Sequence, residues 1–162
     1  MRRLRPLTTL SRPSYWALAF VLASATACGS STPAAARGDV PFKVVAKGTA
    51  PASGKEPRTR AELVRSRAAA EKLLVHWNLE RAVRKLKGVD FKRHRLLILV
   101  ARGNDTTEHL DITRVSTSGT RITAAGKVTR NAGAIGNQVL STPYALVTVP
   151  KSVAATSARL AL

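Results

Sequence analysis

Leu96-Leu97-Ile98-Leu99-Val100-Ala101 places six apolar side chains in succession. A strand with one wet face would alternate apolar and polar residues, and a core helix would need a longer run. The stretch therefore predicts a strand covered on both faces, at the centre of a sheet. The segment before it reads as helical. Thr59 and Glu62 have the Ser/Thr-x-x-Glu spacing of a capping box, which satisfies orphan N–H groups at a helix start. That spacing predicts a helix over 60–77, with Leu63, Ala70, Leu74 and Trp77 near one face. Leu79, Ala82, Val83 and Leu86 then recur at i, i+3, i+4 and i+7, with Arg81, Arg84 and Lys85 opposite, and Gly88 supplies the stop. Farther upstream, residues 42–46 predict a first strand closed by Gly48, and 49–58 a polar loop.

Downstream of the apolar run, residues 103–106 read as a turn. Leu110 and Ile112 alternate with polar neighbours in a strand that Ser118-Gly119 turns. Ile122, Ala124, Gly126 and Val128 occupy one face of the next strand, and Arg121, Thr123 and Lys127 the other. A glycine-rich loop at 131–137, a strand at 144–149 and a short strand at 159–162 complete the pattern. A helical pair between strands, followed by a meander, predicts an α+β fold: a small, mostly antiparallel sheet of about five strands with the helical pair packed on one face. No internal repeat is present.

The chain has 162 residues, of which 44% are hydrophobic, enough for one domain with a core and an appendage. A single cysteine excludes an internal disulfide and any multi-cysteine metal cluster. Aromatics, at 4%, are too sparse for a stacking platform that would bind single-stranded nucleic acid. The charge is lopsided, with 27 Lys and Arg against 9 Asp and Glu.

The N-terminus reads as an address. Arg2, Arg3, Arg5 and Arg12 precede an uncharged run of 13 residues from Tyr15 to Ala27. About 20 residues would be needed to span a bilayer as a helix, so residues 1–27 are expected to be a signal peptide. Arg2-Arg3 is a hint of twin-arginine export. Cys28 follows Ala25-Thr26-Ala27 directly, and this stretch resembles a bacterial lipoprotein precursor, although Ala25 stands where that family usually has Leu. The resemblance implies that the Cys28 thiol receives diacylglycerol and that cleavage makes Cys28 the new N-terminus, anchored to the outer face of the cell membrane. Two or more acyl chains anchor stably where one would be marginal. Ala25-Thr26-Ala27 is also an A-x-A site for free secretion, and both readings cut before Cys28. Residues 28–39, rich in Gly, Ser, Pro and Ala, are expected to form a flexible tether, and 40–162 the domain. Removal of residues 1–27 leaves 23 basic and 9 acidic residues, +14 over 135.

Three stretches of the domain resemble the C-terminal domain of protease complex subunit PrcB, a bacterial envelope family. They are Val40-Pro41-Phe42-Lys43-Val44-Val45-Ala46-Lys47-Gly48 ahead of the helix with Trp77, Val89-Asp90-Phe91 leading into the apolar strand, and Leu140-Ser141-Thr142-Pro143-Tyr144-Ala145-Leu146-Val147-Thr148-Val149-Pro150-Lys151. The resemblance covers roughly residues 40–152. That family often carries a Gly-Tyr pair entering the strand after the first turn, where this chain has Glu108-His109-Leu110. The resemblance implies an envelope-attached accessory module for a protease, without catalytic residues of its own. From the residues alone, Pro143-Tyr144 reads as a loop end followed by an inward-facing strand residue with a polar tip, and Asp90-Phe91 as a turn carboxylate and a core anchor.

Catalytic chemistry has little to build on. His76 adjoins Trp77 on the helix and reads as a packed or surface histidine. His94 sits in Lys92-Arg93-His94-Arg95 with no acid beside it. Glu108, His109 and Asp111 form a His/acid cluster in which 109 and 111 share a strand face, but two ligands fall short of a zinc site. No serine has the Gly-x-Ser-x-Gly setting, and Gly133 and Gly136 lack the lysine and helix of a phosphate loop. No catalytic residue, metal or cofactor is expected.

The charge is concentrated. Residues 58–95 hold 12 basic and 4 acidic side chains, so more than half of the mature excess lies on the helices and the approach to the central strand. Arg81, Arg84, Lys85, Lys92, Arg93 and Arg95 are the candidate anion-binding residues, against the reading of a merely solvated helix face. Outside the cytoplasm nucleic acid is scarce, so none is expected as a partner. The expectation is a non-enzymatic, lipid-anchored envelope protein that acts as a binding or accessory module for a protein partner such as an envelope protease. The alternative is a basic module docking on anionic envelope polymer or membrane lipid.

Overall fold

The computed structural model describes residues 38–52, 58–136 and 139–162. The expected signal peptide, Cys28 and most of the expected tether lie outside the described residues. Eight strands and two helices follow in the order β1 (Gly38–Asp39), β2 (Lys43–Pro51), β3 (Arg60–Val64), α1 (Arg67–His76), α2 (Glu80–Val83), a 3₁₀ turn (Arg84–Gly88), β4 (His94–Val100), β5 (Glu108–Ser118), β6 (Arg121–Arg130), β7 (Ser141–Pro150) and β8 (Ser157–Ala161). The predicted α+β, mostly antiparallel architecture is present. Its strands form two four-stranded sheets, β1-β5-β6-β8 and β2-β7-β4-β3, rather than a single sheet of about five. All pairings within these sheets are antiparallel except β6 with β8.

The unbroken apolar run of β4 explains the layering. Alternate side chains of a strand point to opposite faces. Leu97, Leu99 and Ala101 enter a core shared with Leu110, Val115, Ile122, Ala124 and Leu160 of the other sheet. Leu96, Ile98 and Val100 enter a second core with Ala70, Leu74, Leu79, Ala82 and Leu86 of the helices. β7 behaves likewise, sending Ala145, Val147 and Val149 one way and Tyr144 and Leu146 the other. The sheet β2-β7-β4-β3 is therefore the middle of three layers, and both its central strands are dry on both sides. β5 and β6 keep one polar face, as their alternation predicts, because nothing packs outside them.

Several boundaries differ from the sequence reading. Thr59 and Glu62 start no helix: Arg60–Val64 is strand β3, paired along its length with β4 from Arg60↔Val100 to Val64↔Leu96. β4 would otherwise leave one edge of backbone N–H and C=O groups without partners, and a five-residue ladder outweighs a local cap. Leu63 is consequently a strand residue. The helix begins at Arg67, capped by Ser66, whose Oγ accepts from the Ala69 N–H at 3.3 Å. The second helical piece is a single α-turn that tightens into the 3₁₀ turn, and the Arg67 guanidinium donates to the Leu86 carbonyl at 2.9 Å to tie the two together. Between them Asn78 adopts φ 55°, a left-handed conformation that asparagine tolerates.

Strand β2 runs past Gly48 to Pro51 because β7 continues to pair with it through Ser141. β7 in turn starts at Ser141, so Pro143 lies inside the strand rather than at a loop end. Residues 38–39, expected to belong to the tether, pair with Ser116 and Thr117, so the folded domain begins before Val40. The last strand is Ser157–Ala161, parallel to β6.

The two sheets meet at a corner where β2 lies beside the first half of β5. The Thr49 hydroxyl donates to the Glu108 carbonyl, and the Lys47 ammonium lies 2.7 Å from the Asp111 carboxylate.

Candidate functional site

The ion pairs of the described residues and the unpaired cations of the helical layer lie on different layers. Among the described residues, every ion pair lies outside the helical layer: Asp39 with Arg114 at 2.6 Å, Asp105 with Arg130 at 3.0 Å, and Asp111 with Lys47 at 2.7 Å and His109 at 3.1 Å. Glu108 is also occupied, its carboxylate accepting from the Asn104 N–H at 2.6 Å and closing the turn before β5. The helical layer has no such pairing. Arg65, Lys72, Arg81, Arg84, Lys85, Lys87, Lys92 and Arg93 are all exposed, and none forms an ion pair among the described residues. The nearby Asp90 carboxylate accepts the Lys92 backbone N–H at 2.9 Å and so caps its own turn. Arg60 stacks over Trp77, 5.8 Å from the ring centroid.

The six residues singled out in the sequence divide into three groups. Arg81, Arg84 and Lys85 come together: α2 and the turn after it put them one helical turn apart, and they line a recess of about 510 Å³ with Glu80. Lys92 and Arg93 are exposed on the turn leading into β4, outside that recess. Arg95 is half-buried and its guanidinium donates to the Ala155 carbonyl at 2.7 Å, which fixes the segment between β7 and β8. Arg95 is thus a structural residue.

The His/acid cluster resolves into a structural clamp. β5 places His109 and Asp111 on its outward face opposite Thr129 and Lys127 of β6. The Thr129 hydroxyl donates to Asp111 Oδ2 at 2.6 Å and lies 2.9 Å from His109 Nε2. Hydrogen bonds from Lys47 and then Thr129 hold the Asp111 carboxyl down at about 2, against a smaller upward push from burial. A catalytic relay needs one imidazole nitrogen for the acid and the other for the nucleophile. Here Nε2 faces both Asp111 and Thr129, while Nδ1 is sealed without a partner. Glu108 is turned away into its own loop. Among the described residues no three His, Cys, Asp or Glu side chains converge as a metal ligand set. His76 is exposed at the end of α1, and His94 Nδ1 lies 3.3 Å from the Asp90 carbonyl.

No family model matches the chain, and neither a curated protein nor a solved structure matches it.

One functional feature was invisible in the sequence. Basic residues declare themselves by type, but whether an acid neutralises them depends on which elements become neighbours. The 12-to-4 imbalance of residues 58–95 hinted at it, without distinguishing paired from unpaired charge.

Proposed function

We propose that the protein is an exported, non-catalytic binding module, held at the cell envelope by lipid on Cys28, whose basic helical face docks on a phosphate-bearing anionic surface. The segregation of charge carries this reading. A solvated face with no electrostatic role would be expected to share its cations with nearby acids. Here Glu71 and Glu80 lie on the helices themselves, yet among the described residues neither forms an ion pair, and eight exposed cations of the helical layer are likewise left without ion pairs. Near an anionic surface each such Lys or Arg contributes on the order of 1 kcal/mol, so even part of the set would hold the domain.

A second reading, an accessory subunit of an envelope protease, is favoured by the resemblance to the PrcB C-terminal family. The three stretches that carry the resemblance are β2, the approach to β4 with β4 itself, and β7. These strands are neighbours in one sheet, and β4 and β7 are buried along nearly their whole length. Most of the shared residues of β4 and β7 are therefore core residues, and a protease-facing surface would have to be built from β2, the flanking turns or other residues.

The two readings separate in a tagged pull-down from detergent-solubilised native membranes at low and at high salt. Docking on polyanions is screened over a Debye length of about 10 Å at 0.1 M salt, so the expected result is recovery with anionic lipid or polymer at low salt and of the protein alone at high salt. One stoichiometric protease retained at high salt would overturn this assignment in favour of the accessory subunit.

A further inference from the structure

The outer face of the sheet β1-β5-β6-β8 carries a second group of cations, at the end where the domain receives its tether. Ile122, Ala124 and Leu160 point into the core, so Arg121 and Thr123 of β6 and Ser157, Arg159 and Ala161 of β8 point outward. With the β5–β6 turn, Ser118 to Thr120, they line a recess of about 630 Å³. The Thr120 carbonyl accepts from the Thr156 N–H at 2.8 Å and the Ser157 N–H at 3.2 Å, which fixes the start of β8 against that turn. The register sets Arg121 beside Ser157 and Arg159 beside Thr123. One strand spacing and two residues of rise then separate the two arginine Cα atoms by roughly 8 Å, so both side chains can reach one small ligand.

Arg121 and Arg159 are exposed, and neither guanidinium forms an ion pair or hydrogen bond among the described residues. No acidic side chain stands beside them. Residues 112–162 hold six basic side chains and no acidic one, and Asp39 on β1 is held by Arg114 at 2.6 Å. Ser118 and Thr123 add hydroxyl groups to the lining. Two guanidinium forks with hydroxyl donors between them suit a phosphate, whose oxygens accept paired hydrogen bonds.

The tether says which phosphate. β1 runs antiparallel to β5, with Gly38 opposite Thr117 and Asp39 opposite Ser116, so the chain enters the domain next to Ser118, at the mouth of the recess. Gly38 lies ten residues after Cys28, about 35 Å at full extension. Lipid on Cys28 would hold this end of the outer sheet within that distance of the bilayer surface. The helical layer lies farther away, behind two sheets stacked about 10 Å apart.

We propose that the recess lined by Arg121 and Arg159 seats the phosphate headgroup of an anionic phospholipid, in the bilayer that carries the Cys28 anchor. This seat depends on the lipid anchor assigned above and gives the anchored domain an orientation. The outer sheet faces the bilayer and the helical cations point away from it, so the phosphate surface they dock on is envelope polymer.

The test uses the full lipidated chain in vesicles of phosphatidylcholine, with and without phosphatidylglycerol, after intact-mass confirmation of the acyl chains. Cys28 is the one native cysteine and its thiol carries lipid, so a single fluorophore can be placed at Thr120→Cys beside the recess or at Ala68→Cys on the exposed side of α1. Quenching by headgroup-nitroxide lipid is measured at low and at high salt. With phosphatidylglycerol at low salt, the Thr120 label should be quenched severalfold more than the Ala68 label. That excess should vanish at high salt and in phosphatidylcholine alone. Each cation near an anionic surface shifts the seated-to-free ratio about fivefold, so Arg121→Gln with Arg159→Gln should lower it about twenty-five-fold and abolish the excess. Lys85→Gln on the helical layer should leave it unchanged. The salt and lipid arms alter neither arginine, so they read the seat even if the double variant does not fold. Excess quenching at Thr120 that survives in phosphatidylcholine alone, or in the folded double variant, would overturn the phosphate seat and leave only proximity imposed by the tether. Equal or stronger quenching at Ala68 would overturn both seat and orientation while the anchor stands. A chain without acyl groups on Cys28 would overturn the anchor and the seat with it.

Discussion

Asp111→Asn should destabilise the domain at neutral pH and lose that effect in acid. The carboxylate joins the two sheets through Lys47 at 2.7 Å on β2 and holds Thr129 at 2.6 Å on β6. Its pKa is held at about 2 against an ordinary 3.8. At about 1.4 kcal/mol for each tenfold in the proton equilibrium, the upper bound on its contribution is about 2.5 kcal/mol. Lys47 is half exposed, so solvent screens the larger part of its share, and about 1 to 1.5 kcal/mol is the realistic expectation. For a domain of this size that corresponds to a fall in Tm of roughly 4–6 °C. A group whose folded pKa is depressed stabilises the fold above its unfolded pKa and loses that contribution as pH falls through the folded value. The gap between wild type and Asp111→Asn should therefore be constant above about pH 5, shrink below pH 4 and vanish near pH 1. Urea titrations followed by circular dichroism across that range would measure it. A gap that persists unchanged to pH 1.5 would refute the electrostatic account. So would a double-mutant cycle with Lys47→Gln that returns a coupling below about 0.3 kcal/mol, the level at which independent sites add.

Other perturbations test other links in the argument. Gly48→Ala puts a methyl 2.8 Å from the Tyr144 hydroxyl, so it should cost about 1–3 kcal/mol in chemical denaturation, and Tyr144→Phe in the same chain should recover part of the loss by removing the nearest atom. An equal cost in both backgrounds would mean that the hydroxyl is not the obstacle. Ser66→Ala removes the cap of α1 and should cost about 0.5–1 kcal/mol, whereas Thr59→Ala, in a segment that caps nothing, should cost less; the reverse order would restore the longer helix. Cys28→Ala should move the protein from the membrane fraction to the soluble exported fraction; continued sedimentation with membranes in high salt would show that lipid on Cys28 is not the anchor.

Local chemistry was enough for much of the fold. The run at 96–101 declares a doubly covered strand because six apolar residues in succession leave no side for water, and the structure sends three to each core. The alternation in β6 likewise announces one dry face and one wet face. The same local chemistry misleads at Thr59 and Ser66. Both can cap a helix, and Thr59 has the stronger capping motif with Glu62. The choice falls to β4, some 35 residues away, whose edge needs the backbone of residues 60–64. No window of neighbouring residues contains that requirement. The division into two sheets is hidden for a related reason: β1 is two residues long, and β3 resembles the start of a helix.

The candidate site divides along the same line. Residue types alone mark the stretch at 58–95 as basic, and helical spacing alone puts Arg81, Arg84 and Lys85 on one face, because periodicity along a single helix is a local property. The packing of the Tyr144 phenol over Gly48 joins two separate elements, β7 and β2. The pairing of Asp111 with Lys47 and the structural use of Arg95 are likewise long-range, spanning 64 and 60 residues. Charge is a property of a side chain, but whether that charge is satisfied is a property of its neighbours, and the neighbours are chosen by packing.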